Sequence, residues 1–489
     1  MQIKNIAELV SIKEAAKILN VSTITLRRWD ARGILKSFRP TPKSKRRYKK
    51  EDIFGFLNIK TKKIKDRNYY YQSAKIFPYH GSNSSIIDKY LNRAIKKNIN
   101  YSKDYILGYP ASTPLKIATE SFKKFIKINS NNIGTHTRLE SESGFKGTQE
   151  LEREALTMIA NLFNCNTEFD GYISSGGTEG NIMGIWILRN MINIEYNSKA
   201  CFLKSPLTHY SLTKAFNLLN IDDFETIDIN NNFGIDLKKL ETKIRSLNIK
   251  GYKNFIIICT LGYSVTGSID LIEEINFLVN ILKEELKINI FIHVDASFGG
   301  FIYPFLTRNK IGFNLENVMT IALDAHKTGL VPYPCGVFLC RKNLQKFIET
   351  DVDYIRSHYD DTLIGSRCGA AAAALWSAIM SQGKHGYFKI YSDCIKNKNY
   401  LIKKLKKTKI VFWYYTHQFM NIIAIEFSNF PNYKLPAEIE QKYGLNLARI
   451  PFYNRDKNVY KLITMPHVGK KIISQFIYDL KQYNKIIKN

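Results

Sequence analysis

Two periods of apolar residues alternate along most of this chain. Apolar runs such as 255–260 and 288–294 are typical of buried strands, whereas 150–163 repeats apolar residues every three or four positions, as an amphipathic helix does. Strands and helices predicted in this way follow one another from residue 171 to residue 323. The pattern therefore predicts an α/β fold whose largely parallel sheet is covered by helices.

The individual elements follow from the same periods. Strands are predicted at 171–175, 200–204, 255–260, 288–295 and 318–323, and 333–341 looks like a strand returning beside the sheet. Helices are predicted at 86–99, 114–128, 150–163, 178–191, 209–219 and 271–286. A smaller α/β part follows, with strand material at 412–427, a helix at 436–443, a strand at 460–465 and a helix at 468–483. Ligands of parallel sheets bind at the carboxyl ends of strands, so the functional residues are expected there.

The first residues of the chain have a different pattern. A short amphipathic helix is predicted at 11–20, and a second follows from a Ser22 or Thr23 cap through Arg32. The second helix is expected to turn Ile24, Leu26 and Trp29 inward. A basic segment at 39–50 comes next, so this part predicts a helix-turn-helix with a basic wing.

This segment resembles the MerR-like and excisionase winged-helix family over residues 10–57. The net charge of the chain is +29, and residues 1–68 alone contribute +13, which favours a polyanionic partner for this part. The resemblance is carried by Ser11-Ile12-Lys13-Glu14-Ala15-Ala16, Thr25-Leu26-Arg27-Arg28-Trp29-Asp30, Gly33 and Arg46-Arg47-Tyr48. It implies that DNA is contacted by Thr25, Arg27, Arg28, Arg46 and Arg47. The alternative to DNA binding is that this segment has lost its DNA contacts and remains folded for packing or for binding a protein partner.

Composition narrows the class of protein. Apolar residues make up 45% of the chain, which is typical of a globular protein and not of a disordered one. No apolar run has the length of a membrane span, and the first residues lack the apolar core of a signal peptide. The seven cysteines form no CxxC pair and no zinc-type spacing, so we expect reduced thiols, no metal and a cytoplasmic location.

Four motifs at predicted strand ends carry the candidate chemistry. They are Ser175-Gly176-Gly177-Thr178, Thr208-His209-Tyr210, Val294-Asp295-Ala296 and Ala325-His326-Lys327. Each alone has a plain explanation: a strand-to-helix turn, a structural histidine, a helix cap and a solvated loop lysine. Together they suit pyridoxal phosphate, since a glycine turn at a helix start binds phosphate, a carboxylate can pair with the pyridine nitrogen, and a lysine can bond the aldehyde.

From about residue 80 to residue 485 the chain resembles the group II pyridoxal-phosphate-dependent amino-acid decarboxylases. The resemblance rests on the four motifs above together with Gly267-Ser268-Ile269-Asp270, Pro334-Cys335-Gly336, Gly365-Ser366-Arg367-Cys368-Gly369 and Met465-Pro466-His467-Val468. Some segments are similar to the histidine and serine decarboxylase branch, and others to the tyrosine/aspartate decarboxylases. Where the family has two threonines after Gly262, this chain has Tyr263 and Ser264.

The family resemblance implies a role for each matching residue. Lys327 would bond the cofactor, Asp295 would pair with its ring nitrogen and His209 would stack on its ring. A tyrosine on a mobile loop, Tyr354 or in its place Tyr359, would return a proton in the partner's site. Cofactor contacts are expected from Gly176, Gly177, Thr178, Ala296 and His326, with Gly365 and Ser366 reaching across from the partner subunit of a homodimer.

The expected architecture is that of the fold type I pyridoxal phosphate enzymes with a small winged-helix domain in front. We expect a winged helix-turn-helix at 1–57, a linker at 58–78, an N-terminal arm at 79–150, a large domain at 151–383 and a small C-terminal domain at 384–489. The expected activity is decarboxylation of an L-amino acid, histidine or an aromatic one being favoured. The alternatives are a carbon–carbon lyase of the sphingosine-phosphate type and a DNA-binding regulator with a ligand-sensing body.

Overall fold

The structure is a computed structural model. It describes residues 9–19, 21–39, 41, 44–53, 83–138, 143–165, 168–452 and 456–488, so the linker predicted at 58–78 lies outside the described residues. The chain divides into two compact units, 1–98 and 99–489, and each is described by itself.

The first unit contains the predicted helix-turn-helix. Its elements are β1 (Leu9–Ser11), α1 (Ile12–Leu19), α2 (Thr23–Ala31), β2 (Arg47–Lys49) and a separate helix, α3 (Ser84–Ile95). Ser22 caps α2 by accepting the N–H of Thr25, as expected. Leu26 and Tyr48 are fully buried in the small core, but Ile24 is 57% exposed. The prediction that Ile24 turns inward was therefore wrong, because α2 buries a narrower stripe centred on Leu26.

A partly buried ionic contact ties the wing to α2. The Asp30 carboxylate accepts hydrogen bonds from Arg46 Nε at 2.7 Å, Arg39 Nη2 at 3.3 Å and the Ser37 hydroxyl at 2.8 Å. Burial opposes ionisation of Asp30, but the donors outweigh it and lower its pKa. Arg46 is thus held against the protein, whereas Arg27, Arg28 and Arg47 are exposed.

The second unit is built on a seven-stranded sheet with the order β4-β10-β9-β8-β7-β5-β6. Strands β5 to β9 pair in parallel, and β10 runs antiparallel between β9 and β4. This confirms the expected sheet and the returning strand. The bounds are β4 (Phe169–Tyr172), β5 (Cys201–Lys204), β6 (Phe224–Thr226), β7 (Asn254–Thr260), β8 (Asn289–Ala296), β9 (Val318–Leu323) and β10 (Val337–Arg341).

Helices cover both faces of this sheet, and their apolar side chains form two buried clusters with the strands. Strand β7 is buried at all seven positions, as expected of a strand covered on both faces. The helices are α4 (Lys116–Ile126), α5 (Lys146–Leu162), α6 (Gly177–Tyr196), α7 (Tyr210–Leu218), α8 (Leu237–Ile249), α9 (Ile272–Leu286), α10 (Tyr303–Leu306), α11 (Ala325–Thr328) and α12 (Gly369–Lys406).

Short strands and a smaller sheet complete the unit. The short pairs are β3 (Asn131–Asn132) with β13 (Arg367–Cys368), and β11 (Thr350–Asp351) with β12 (Tyr359–Asp360). The smaller sheet has the order β14-β15-β17-β16 and is accompanied by two helices. Its elements are β14 (Phe412–Tyr415), β15 (Ile422–Phe427), α13 (Ala437–Tyr443), β16 (Leu447–Ile450), β17 (Lys457–Ile463) and α14 (Lys470–Lys488).

Helix α12 carries the chain from the large sheet to the small one. It bends at Gly383, where φ is +56°, a value that favours glycine over other residues. None of the helices in the described part of the chain is both long and apolar enough to cross a bilayer.

Candidate active site

The predicted site residues follow the carboxyl ends of the central strands. Asp295 lies at the end of β8, and Lys327 lies in α11, directly after β9. His209 precedes α7 after strand β5, and Gly177 begins α6 after strand β4. Parallel strands bring these ends to one edge of the sheet, so residues 150 positions apart in sequence become neighbours.

Lys327 is linked to the start of α6 through Asp324. Its amine lies 2.5 Å from Asp324 Oδ2, and the other oxygen of that carboxylate accepts the N–H of Gly177. Asp324 is 3% exposed, while the Lys327 side chain retains 21% exposure and so remains reachable. The N–H of Gly177, in the first turn of α6, thus already binds an anionic group. A helix N-terminus that binds a carboxylate is also suited to a phosphate, because both groups are anions that accept hydrogen bonds.

Asp295 is buried at 4% exposure and bound by neutral donors. Asn181 Nδ2 donates to its Oδ2 at 3.0 Å, and the Ser297 hydroxyl donates to its Oδ1 at 2.6 Å. Within the described part of the chain, no cationic side chain forms an ion pair with it. A buried carboxylate gains most from a cationic partner, and a protonated pyridine nitrogen is one.

Asn181 connects Asp295 to two histidines. Its amide also donates to Ser211 Oγ at 2.9 Å, and that hydroxyl lies 2.9 Å from His209 Nδ1. Its carbonyl oxygen lies 3.0 Å from His293 Nε2. Burial lowers the pKa of His209, and it lowers the pKa of His293 to about 4. Both rings are therefore neutral at neutral pH, and a neutral imidazole can lie on an aromatic ring without bringing charge to it.

The glycine turn lies directly against His326. A Cβ added to Gly176 would lie 3.0 Å from His326 Cε1. One added to Gly177 would overlap Ser297 Oγ, so the absence of a side chain at Gly177 lets the turn pack this closely. His326 accepts the N–H of Cys335 at 3.2 Å and stacks on Tyr333 with 3.9 Å between ring centroids. Burial lowers the pKa of His326, which leaves an uncharged ring beside the turn. Thr178 is half-buried in the first turn of α6.

The residues present fit pyridoxal phosphate. The hydroxyl of Thr208, next to His209, is buried and has no hydrogen-bond partner in the described part of the chain. An unsatisfied buried hydroxyl is costly, and a polar ligand group would satisfy it. The glycine turn at a helix start, the buried Asp295 carboxylate and the accessible Lys327 amine supply the other three contacts that this cofactor needs.

Other predicted residues lie apart from this cluster. Tyr354 is 90% exposed at the tip of the loop between β11 and β12. Tyr359 is half-buried beneath Arg138, whose guanidinium carbon lies 4.9 Å from its ring centre. Ser366 accepts a hydrogen bond from Asn131, and Gly365 lies beside it. Among the described contacts, no hydrogen bond or ion pair joins these residues to Lys327 or Asp295.

The structure adds residues to which the sequence had given no role. They are Asn181 on α6 and Lys461 on β17. Burial lowers the pKa of Lys461, and the charge of Lys327 lowers it further, so the two amines lie close enough to repel. The signal for Lys461 was present: it is a lysine in the middle of the apolar run Val459–Ile463. Tyr263, by contrast, is turned into the core, where its hydroxyl donates to Asp270 at 2.7 Å.

Comparison with known proteins gives the same assignment. The family described as "Pyridoxal-dependent decarboxylase conserved domain" matches residues 146–427, and the "MerR family regulatory protein" family matches residues 11–48. A tryptophan decarboxylase of Clostridium sporogenes is 33% identical over 82% of this chain and 96% of its own length. A probable L-tyrosine/L-aspartate decarboxylase of Methanosphaera stadtmanae is 30% identical over 80% and 94%.

A solved structure shows the same fold. The L-methionine decarboxylase of Streptomyces sp. 590 superposes with a TM-score of 0.71 at 17% identity, over 83% of this chain and 96% of that one. It confirms fold type I for the body of the chain. The chain therefore belongs to the pyridoxal-dependent decarboxylase family, uses pyridoxal 5′-phosphate as its cofactor, and carries a MerR-type helix-turn-helix in front.

Proposed function

We propose that this protein removes CO2 from an L-amino acid with an aromatic or imidazole side chain, and that it works as a homodimer. The observation that carries the proposal is the convergence of Lys327, Asp295 and His209 at one sheet edge, joined through Asn181 and Asp324. When bound, pyridoxal phosphate accepts the electron pair left on Cα as CO2 departs.

Each residue of the cluster receives one role in this proposal. Lys327 would bond the cofactor aldehyde. Asp295 keeps the ring nitrogen protonated, and Asn181 and Ser297 hold Asp295 in place. The neutral ring of His209 packs on the cofactor ring, beside Ala296. The phosphate is held by Gly176, Gly177, Thr178 and His326, with Gly365 and Ser366 reaching it from the partner subunit.

Aromatic rings near the lysine support an aromatic or imidazole substrate. Tyr333 stacks on His326, the neighbour of Lys327. Burial raises the pKa of Tyr333 to about 12, and the nearby Tyr101 hydroxyl contributes to that shift. Tyr101 in turn packs on His467 with 5.0 Å between ring centroids. A planar substrate side chain gains about 0.5–1.5 kcal/mol from each such ring beyond its buried area, and the tryptophan decarboxylase among the relatives fits this choice.

Lys461 is proposed to bind the carboxylate of the substrate. Replacing Lys461 with methionine should raise KM for the amino acid roughly 10- to 100-fold with little change in kcat, because a charge-assisted hydrogen bond contributes about 1.5–3 kcal/mol. Steady-state kinetics of CO2 release measures both constants. Arg449→Gln on the adjacent strand removes an exposed cation paired with Asp456 and serves as the control. An unchanged KM in Lys461→Met would rule this role out.

Tyr354 is proposed to return the proton to Cα in the partner's site. Its 90% exposure at a loop tip leaves its hydroxyl free to reach another subunit, whereas Tyr359 is packed under Arg138. Replacing Tyr354 with phenylalanine should lower kcat about 10²- to 10⁴-fold, the usual contribution of a positioned general acid. Tyr359→Phe should change kcat far less.

Mixed dimers test the transfer between subunits. A dimer of one Lys327→Ala subunit and one Tyr354→Phe subunit contains one site with both native residues if the tyrosine crosses over. Co-refolding the two inactive variants should therefore restore activity. No restoration, with mixed dimers shown to form by mass spectrometry, would place the tyrosine in its own subunit's site.

The activity itself is tested on the cofactor-loaded protein with a panel of amino acids. We expect equal amounts of amine and CO2 from tryptophan, tyrosine, phenylalanine or histidine. Phosphorylated amino alcohols belong in the same panel, because aldehyde release from one of them would identify a carbon–carbon lyase. No turnover in any case would leave the decarboxylase proposal without support and favour a ligand-sensing body.

A second proposed function is DNA binding by the head, favoured by the MerR match and by the exposed Arg27 and Arg28 on α2. Fluorescence anisotropy with a labelled mixed-sequence duplex should show binding that weakens steeply with salt. Replacing both arginines with alanine should lower the slope of log K against log salt by about two, since each phosphate contact contributes roughly one. The control is the double variant Lys123→Ala/Lys124→Ala on α4, which removes the same charge from the second unit. An equal decrease of the salt slope in both double variants would mean that the duplex is attracted non-specifically to a basic protein.

A further inference from the structure

The loop that carries Tyr354 is anchored by one arginine. Arg138 Nη1 lies 2.5 Å from Glu349 Oε1, just before β11, and 2.7 Å from Asp361 Oδ2, just after β12. Its guanidinium also lies on the ring of Tyr359, within β12. A single cation thus joins both ends of the hairpin formed by residues 350–360.

The anchor on the Asp361 side is buried and shared. The Asp361 side chain is fully buried, and its other oxygen accepts the Thr135 hydroxyl at 2.7 Å. Gln345 donates to both the Thr135 hydroxyl, at 2.7 Å, and the Asp361 carbonyl, at 2.9 Å. Removing the cation from a buried carboxylate bound in this way strongly destabilises the fold, because the charge is then left buried without a positive partner.

The segment that supplies Arg138 is itself fixed to the body of the enzyme. His136 Nδ1 lies 2.6 Å from the buried carboxylate of Glu152 on α5, and the Thr137 hydroxyl donates to Asp170 on β4 at 3.2 Å. Arg138 therefore projects from a segment fixed to the large domain, and it reaches a hairpin that otherwise holds few backbone pairs. A hairpin with few backbone pairs and an exposed tip opens at a lower free energy than the core of the fold does.

We propose that Arg138 is a positioning residue that sets where the Tyr354 hydroxyl sits over the substrate carbon. This inference rests on the proposed decarboxylation. When CO2 leaves, the electron pair on Cα takes the phenolic proton of Tyr354, a C–H bond forms, and water reprotonates the tyrosine. If the hairpin drifted, a carbon of the cofactor would take up the proton instead. Hydrolysis by water would then release an aldehyde and leave the amino group on the cofactor, so less amine than CO2 would appear.

Arg138→Gln in the full-length, cofactor-loaded protein tests this role. We expect kcat to fall about 10- to 100-fold, amine per CO2 to drop clearly below one, and KM to change little. Hydrogen–deuterium exchange of the peptide covering 349–362 should speed up at least about tenfold. Glu349→Gln, which breaks only the more exposed contact, should give a milder form of each effect, and Arg138→Lys should restore most of the amine yield.

Arg245→Gln is the matched control. Arg245 also binds two carboxylates, Glu241 and Glu285, but on the exposed faces of α8 and α9. This variant should keep a native amine yield and native exchange at 349–362. A native amine yield and native exchange in folded Arg138→Gln, or in Glu349→Gln if the first variant does not fold, would overturn the inference. A wild type that releases no CO2 from any amino acid would instead overturn the proposed function on which it rests.

Discussion

Replacing Lys327 with alanine should abolish turnover and the covalent attachment of the cofactor. We expect kcat to fall by about 10⁴-fold or more, since the amine that bonds the aldehyde acts as one unit with the groups around it. Lys327 follows the apolar strand β9 and lies 2.5 Å from the buried Asp324, so its amine is held beside the first turn of α6. Within the described part of the chain, no other lysine forms an ion pair with Asp324.

Borohydride reduction gives a second, independent readout. In the wild type it should fix the cofactor to one peptide, and mass spectrometry should locate the label on Lys327. The alanine variant should carry no label, while Lys346→Ala, which removes an exposed lysine, should behave like the wild type. Labelling of Lys461, the other amine near the site, would show that the wrong lysine had been assigned.

The sheet and its cofactor edge could be predicted because apolar strands and glycine turns are local signals. Strand β9 was predicted with its observed bounds, and β7 and β8 to within one residue at each end. Strands such as β7, buried on both faces, leave uninterrupted apolar runs that a single sequence displays clearly. Asp295 and Lys327 follow directly from where such runs end.

Elements with a weaker pattern escaped prediction. Strand β6 has only three residues, none of them buried, and helix α8 carries charged residues along most of its length. Strand β6 therefore presents no apolar period. Helix α8 does, since Leu237, Leu240, Ile244 and Leu247 recur every third or fourth position, but the charged residues between them obscured it. Ile24 was placed inward by the same reasoning, but a nine-residue helix in a small core buries only Leu26 completely.

Contacts between distant segments were also beyond the sequence. The meeting of Asn181 with Asp295 depends on the packing of α6 beside β8, 114 residues further along the chain. Arg138 and Asp361 are 223 residues apart, and their pairing depends on where β11 and β12 fold back. Residue type and spacing identify candidates for chemistry, but the tertiary fold determines which buried charge meets which donor.

Replacing Asp295 with asparagine should lower kcat about 10²- to 10³-fold while leaving the cofactor attached. The substitution keeps the size of the side chain and retains an acceptor for Ser297 or Asn181, but it removes the charge that a protonated ring nitrogen requires. Breaking a buried ion pair by neutralising one partner costs about 3–5 kcal/mol. The expected loss of kcat corresponds to about 3–4 kcal/mol of that cost falling on the step in which the ring accepts charge. Rates of CO2 release and the visible spectrum of the bound cofactor measure the two effects separately.

The size of the effect distinguishes charge from hydrogen bonding. Ser297→Ala removes one hydrogen bond from a neutral donor to the same carboxylate and should cost about 1.5 kcal/mol, roughly a tenfold loss of kcat. If Asp295 were only a cap for the backbone N–H of Ser297, which it also accepts at 3.0 Å, both variants would lose similar activity. A loss in Asp295→Asn at least tenfold larger than in Ser297→Ala would therefore assign Asp295 to the cofactor ring, because only the charge differs enough to account for it.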